Sequence, residues 1–259
     1  SGVIRVGISG APGRMGRLAQ SALGPCDDLA VSDLYAPRHG GEPLEAGVCS
    51  SDPESLRGCE VILELSHPDT APANVSRWKS FGSHVVIGAS GYDRSRIFAL
   101  REEWVGSRQR CLVVPNFSVG AVLMARFAEM SASFFPAAEI VEMHHAQKRD
   151  APSGTALDTA TRMSRAAGRK TDISPLDRGR ELKEGALGAT VDGVPIHSVR
   201  MPGLLAHQEV MLGKEGEYLT IRHDTTDRVA FASGIVLAVR SVAGLAEPVT
   251  VGLEGILGI

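Results

Sequence analysis

The chain has 259 residues, enough for one large domain or two smaller ones, and its 43% hydrophobic content allows a substantial core. Its formal net charge of −3 excludes the basic excess of a general nucleic-acid binder. No apolar run approaches the ~20 residues that cross a bilayer, so neither a nucleic-acid nor a membrane partner is expected.

The first half alternates strand-like and helix-like segments. Val3 to Ser9, VIRVGIS, reads as a strand. RMGRLAQSAL follows with Met15, Leu18, Ala19, Ala22 and Leu23 spaced by three and four, the pattern of an amphipathic helix. LAVSD (Leu29 to Asp33), EVILEL (Glu60 to Leu65), HVVIG (His84 to Gly88) and CLVVP (Cys111 to Pro115) are further strands, with helices in TAPANVSRWKSFG and RSRIFALREEWVG between them. This alternation predicts βαβ crossovers and a parallel sheet covered on both faces. After Asn116 the rhythm changes. A long apolar helix, VGAVLMARFAEMSASFF, precedes a strand, AEIVEMHH, and a helix from about Ser153 to Ala167. Arg169 to Asp192 is polar and glycine-rich and reads as an exposed loop. IHSVRMP, HQEVMLG and YLTIRHD then suggest an antiparallel or mixed sheet, closed by a helix in DRVAFASGIVLAVRSVAGL. The expected fold class is α/β: an N-terminal Rossmann-type doubly wound parallel sheet over residues 1–117, plus a second α+β domain with a mixed sheet from about residue 118.

GISGAPGRMG places Gly10, Gly13 and Gly16 between the first strand and the first helix. Glycines there let the backbone approach a pyrophosphate, which the N–H groups of the helix start then face. A tight turn without a ligand would use the same residues. Asp33 follows Gly10 by 23 residues at the end of the second strand, where a carboxylate can accept hydrogen bonds from ribose hydroxyls and repel a 2′-phosphate. Arg14 and Arg38 could instead pair with that phosphate, so the choice between NADH and NADPH stays open.

The segment HHAQKRDAPSGTA, His144 to Ala156, carries the remaining chemistry. Ser153 is a helix N-cap candidate, and Gly154 and Thr155 would offer free N–H groups to a carboxylate or phosphate. Lys148 could neutralise the same anion or donate a proton. His144 and His145 are adjacent and would face opposite sides of a regular strand, so both point to one place only if the strand has ended. Their divergence argues against a metal pair. Cys26, Cys49, Cys59 and Cys111 show no Cys-x-x-Cys spacing and read as reduced thiols, so no metal is expected. Together with the absence of a charged stretch and apolar core of a signal peptide, this makes the cytoplasm the expected compartment. Residue chemistry thus reaches a nicotinamide nucleotide, a small anionic substrate and a hydride transfer with a nearby proton donor.

EMHHAQKRDAPSGTA matches the pattern E-x-H-H-x-x-K-x-D-A-P-S-G-T-A at every fixed position, and with GAPGRMG, VVPNFSVGAVL and IHSVRMPGLLAHQEVMLGKEGEYLTIRHD it resembles the 4-hydroxy-tetrahydrodipicolinate reductase (dihydrodipicolinate reductase) family over nearly the whole chain. The resemblance implies NADH- and/or NADPH-dependent reduction of a small cyclic dicarboxylate in diaminopimelate and lysine synthesis. It implies catalytic roles for His144 and Lys148, and substrate contacts from His145, Ser153, Gly154 and Thr155. Gly10, Ala11, Pro12, Gly13, Arg14 and Met15 would contact cofactor phosphates, and Val114, Pro115, Asn116 and Phe117 the nicotinamide. The family's G-T-T-G turn appears as Gly88, Ala89, Ser90 and Gly91, with a hydroxyl lost at Ala89. The ribose acid maps best to Asp33, with Tyr35 or Ala36 as alternative occupants of its place. The resemblance also implies a homotetramer built by sheets of a substrate-binding domain at 118–227, and a return of residues 228–259 to the nucleotide domain. Two rival readings remain: a catalytically inactive NAD(P)-sensing protein of the same fold, and a semialdehyde dehydrogenase, which would need a catalytic cysteine that residues 144–156 lack.

Overall fold

The computed structural model describes residues 2–168 and 179–259. They sort into two compact units: one runs to Val119 and takes up Val229–Ile259, the other is Gly120–Arg228.

The first unit opens with β1 (Ile4–Ser9), α1 (Arg14–Leu23), β2 (Leu29–Tyr35), β3 (Pro43–Leu44), β4 (Gly47–Ser50), β5 (Val61–Glu64), α2 (Ala71–Ser80), β6 (His84–Ile87), α3 (Arg94–Trp104) and β7 (Cys111–Val113). The second contains most of α4 (Val119–Ala132), then β8 (Ala137–His144), α5 (Gly154–Ala166), β9 (Ala189–Val191), β10 (Val194–Arg200), β11 (Ala206–Lys214) and β12 (Glu217–Thr225). The chain then returns to the first unit as α6 (Ala232–Ser241), β13 (Val249–Val251) and α7 (Glu254–Leu257).

The first sheet has the order β13-β7-β6-β5-β1-β2-β4-β3, parallel except for the β3–β4 pair. β1 pairs with β2 on one side and β5 on the other, so the chain direction across the sheet reverses there. β5 and the Val85–Ile87 stretch of β6 are buried throughout, as strands covered on both faces must be. Trp78 and Trp104 are fully buried beside them. Glu64, buried at the end of β5, stays satisfied because Trp78 Nε1–H donates to it at 2.7 Å and Ser66 N–H at 2.9 Å. α1 buries Ala19 and Leu23 and packs beside α6, which Arg240 ties to Asp28 through two bonds of 2.8 and 2.7 Å.

The second sheet, β12-β11-β8-β10-β9, is mixed: β8 runs parallel to β10 and antiparallel to β11. Ala138, Ile140 and Glu142 alternate along the buried face of β8, and α5 covers that core with Ala156, Ala160 and Met163.

Several elements differ from the sequence reading. The closing helix is shorter than Asp227 to Leu245: 3-10 turns occupy Arg228–Phe231 and Val242–Gly244 on either side of α6, the usual tightening of helix ends. β3, β4, β13 and α7 escaped prediction because two to four residues are too few to show a period. The loop read over 169–192 contains β9 at its end and is mostly exposed over 179–188, while 169–178 lie outside the described residues. β10 pairs with β8 instead of its neighbour β11, a long-range choice that local alternation does not encode. All four cysteines are free, with Cys49, Cys59 and Cys111 buried. No helix among the described residues is long and apolar enough to cross a membrane.

Candidate active site

The candidate nucleotide residues collect at one edge of the first sheet. Gly10 to Met15 follow β1, Gly88 to Ser90 follow β6, and Val114 to Phe117 follow β7, so all leave the carboxyl ends of parallel strands. In open α/β sheets that edge, at the point where strand order reverses, is where nucleotides bind. Tyr35 O accepts from Gly10 N–H at 2.9 Å and Ala11 N–H at 3.3 Å, which fixes the loop against β2. Gln20 Nε2 donates to Ala11 O and Gly16 O at 3.0 and 3.1 Å, and Arg17 Nε donates to Pro12 O at 3.0 Å. Gly13 caps α1 without a side chain, and among the described residues the N–H groups of Arg14, Met15 and Gly16 have no acceptor. Three orphan donors at a helix start, reached over glycines, fit a phosphate.

Gly88 is needed for contact: a Cβ there would sit 2.6 Å from both Leu65 Cδ2 and Phe117 Cε2. This brings the turn after β6 against the turn after β7, where Val114 and Phe117 are buried and Asn116 Oδ1 accepts from Ser118 N–H at 2.8 Å. Ala89 is half-buried against the core, and Ser90 is exposed.

Asp33 is not brought to this edge. It lies two residues before the end of β2, and its carboxylate accepts from the Cys59 thiol at 3.6 Å. The strand-end position belongs to Tyr35, whose ring packs edge-on against Trp78 with centroids 5.7 Å apart. No carboxylate therefore stands at the end of β2, while Arg14 and Arg38 are exposed and form no ion pair among the described residues.

The second cluster is built on β8, α5 and β10. β8 ends at His144, so the strand has stopped before His145, whose N–H donates to Leu205 O at 3.3 Å. The opposite-faces objection to the histidine pair is thereby removed. Ser153 caps α5, accepting from Ala156 N–H at 3.2 Å, and the N–H groups of Gly154 and Thr155 have no acceptor among the described residues. A Cβ at Gly154 would meet nothing within 4 Å, so an anion has open approach to these donors. Lys148 Nζ donates to both oxygens of Asp150 at 2.8 Å, and the ammonium holds that carboxyl below its ordinary value.

Two residues without a role in the sequence reading organise this cluster. Glu142, fully buried, takes two bonds of 2.8 Å from Arg200, one of 2.6 Å from His144 Nδ1 and one of 3.1 Å from Ser153 N–H. Arg200 also donates to Asp150 O at 2.7 Å. Burial raises the Glu142 carboxyl, but hydrogen bonds from Arg200, Ser198 and His144 outweigh it and leave the group below its ordinary value, an anion. Burial pushes His144 below the ordinary histidine value, assisted by Lys148 and Arg200 and opposed by Glu142. Among the described residues, no group of three or more His, Cys, Asp or Glu could hold a metal ion.

Family models match both parts of the chain: dihydrodipicolinate reductase, N-terminus, over residues 4–117, and dihydrodipicolinate reductase, C-terminus, over 120–257. The chain belongs to the dihydrodipicolinate reductase family. Among relatives of this family, the 4-hydroxy-tetrahydrodipicolinate reductase of Cutibacterium acnes is 44% identical over 99% of this chain and 100% of its own. That of Nocardia farcinica is 42% identical over 99% of both chains. A dipicolinate-bound dihydrodipicolinate reductase from Paenisporosarcina sp. TG-14 superposes with a TM-score of 0.88 at 35% identity, covering 98% of this chain and 99% of that one. The scyllo-inositol dehydrogenase of Lactobacillus casei, with a TM-score of 0.61 at 12% identity, shares the fold alone.

Proposed function

We propose that the chain catalyses the NADH- or NADPH-dependent reduction of 4-hydroxy-tetrahydrodipicolinate to tetrahydrodipicolinate, in diaminopimelate and lysine synthesis. The carrying observation is the cluster of His144, Lys148 and the open N–H pair of Gly154 and Thr155, in a chain 44% identical over its length to a reductase of that name.

The nucleotide half rests on the first unit. The orphan N–H groups of Arg14, Met15 and Gly16 hold phosphate oxygens, with Gly10, Ala11, Pro12 and Gly13 shaping the loop. Gly88, Ala89 and Ser90 and the run Val114, Pro115, Asn116 and Phe117 bound the remainder through backbone groups and the Phe117 ring. When bound, the reduced nicotinamide supplies a hydride. Because Asp33 is turned to Cys59, nothing at the end of β2 repels a 2′-phosphate, and exposed Arg14 and Arg38 supply positive charge for one. Both nucleotides are therefore expected to serve.

The substrate half rests on the second unit. Gly154 and Thr155 donate to one ring carboxylate at the positive end of α5, and Ser153 shapes the turn. Lys148 adds its ammonium to that carboxylate, and His145 contacts the ring substituents. Loss of the 4-hydroxyl as water leaves a conjugated imine, which takes up one hydride and one proton; that proton comes from His144 once protonated at Nε2 or from the Lys148 ammonium. His144 offers Nε2, since Nδ1–H is committed to Glu142. Fixed N–H donors and the Lys148 charge stabilise developing charge before any proton moves.

A cytoplasmic homotetramer is the assembly we assign, supported by β12, the edge strand of the second sheet, which is exposed from Glu217 to Thr220 and leaves that sheet edge open to a second copy. The activity is tested by mixing purified protein with freshly generated cyclic substrate and NADH or NADPH in parallel. The reading predicts loss of reduced-nicotinamide absorbance only with substrate present. Nucleotide binding without any substrate-dependent oxidation would instead favour a sensing protein.

A further inference from the structure

Resting on the proposed reduction, we infer that Glu142, locked by Arg200, is a positioning residue that sets both the tautomer of His144 and the seat of the anion-binding turn.

The carboxylate has no exposure to water, and four hydrogen bonds hold it in addition to the contribution of Ser198. Two come from the Arg200 guanidinium on β10, one from His144 on its own strand and one from the Ser153 backbone at the start of α5. An anionic carboxylate only accepts, so the 2.6 Å contact fixes the proton of neutral His144 on Nδ1 and leaves Nε2 bare. The other oxygen, Oε1, accepts from Ser153 N–H while Ser153 Oγ caps Ala156 N–H, so one side chain sets the registration of the imidazole against the Gly154–Thr155 donors. Arg200 completes the brace: besides gripping Glu142, it donates to Asp150 O, in the residue whose carboxylate holds Lys148. A salt bridge serving only packing would not need to link the proton-holding imidazole, the anion turn and the lysine partner at once.

The charged groups acting on His144 are Glu142 on its own strand, Arg200 on β10 and Lys148 in the loop beyond; the Asp150 carboxylate pairs with Lys148, and Arg200 reaches its backbone oxygen. β11 places Gln208 opposite Glu142, and α5 presents uncharged Ser153 and Thr159. Glu142 raises the imidazole value, and the two cations lower it.

Glu142→Gln keeps the side-chain volume but replaces one of two charged acceptors by an amide. A folded E142Q is expected to lose kcat by roughly tenfold or more, because the imidazole is no longer held in one tautomer. The substrate KM should rise by roughly threefold or more as well, since the Ser153 N–H loses its charged acceptor and the Gly154–Thr155 donors their fixed seat. The His144 inflection in the pH profile of kcat/KM moves to lower pH, which a merely structural role would not cause. Unchanged kcat and pH profile in the folded variant would overturn the inference. Nitrogen-15 spectra of the unmutated protein at neutral pH decide it without any variant: an Nδ1–H tautomer for His144 supports it, and an Nε2–H tautomer overturns it. If the unmutated protein failed to reduce the substrate, the functional reading would fall, while the tautomer would still be readable.

Discussion

Replacing Lys148 by alanine is expected to lower kcat by roughly 100-fold with the fold retained, the scale at which a positioned acid contributes. The Lys148 side chain is only 22% exposed, and both Asp150 oxygens fix its ammonium at 2.8 Å, so the charge is placed before substrate arrives. Alanine removes a carboxylate partner and a proton source together. It also removes one of the cations that lower His144, so the imidazole inflection should rise, opposite to the shift expected on losing Glu142. His144→Gln should cost a similar factor, because glutamine offers no titrating nitrogen. Steady-state kinetics across pH, with circular dichroism to confirm folding, checks both. A folded variant of either kind with full activity would remove that residue from the mechanism.

Gly16→Ala is the second large effect. A Cβ at Gly16 would lie 2.3 Å from Gly10 O, 2.5 Å from Ala11 O and 2.7 Å from Ala11 Cα. All three atoms are backbone, so no side-chain rotation relieves the clash and the loop must shift. The Arg14, Met15 and Gly16 N–H groups shift with it. Loss of even one hydrogen bond to a charged phosphate costs about 1.5–3 kcal/mol, or at least tenfold in affinity. Overpacking adds a stability loss of roughly 1–3 kcal/mol. Titration calorimetry should show NADH and NADPH weakened at least tenfold, while the KM for 4-hydroxy-tetrahydrodipicolinate is unchanged. Wild-type nucleotide affinity would show that the loop does not hold the phosphates.

The two kinds of information in the sequence explain what could be read from it. Periodic segments declared themselves: β1, α1, β5, β6 and α5 lie within a residue or two of their expected limits, because burial imposes alternation or a helical stripe over enough residues to see. Residues near one another in the chain were also legible, which is why Ser153, Gly154 and Thr155 could be placed at a helix start from their order alone. Arg200 was not legible. It meets Glu142 only because β10 pairs parallel to β8, a choice made 58 residues away. Asp33 shows the opposite failure: its spacing from Gly10 suited a ribose contact, but β2 runs two residues further, and the pleat turns its carboxylate toward Cys59. The split of the C-terminal segment into α6 and β13 depends on a strand partner, β7, more than a hundred residues earlier.

The central claim, hydride transfer into a cyclic dicarboxylate, is tested most directly by isotope transfer. The protein is incubated with freshly generated 4-hydroxy-tetrahydrodipicolinate and reduced nucleotide carrying deuterium at both positions of the nicotinamide C4, and the ring product is examined by mass spectrometry. The account predicts tetrahydrodipicolinate bearing a single deuterium, formed in step with oxidised nucleotide, and formed roughly 100-fold more slowly by Lys148→Ala and His144→Gln. Product without deuterium, or nucleotide left unconsumed beside intact substrate, would contradict it.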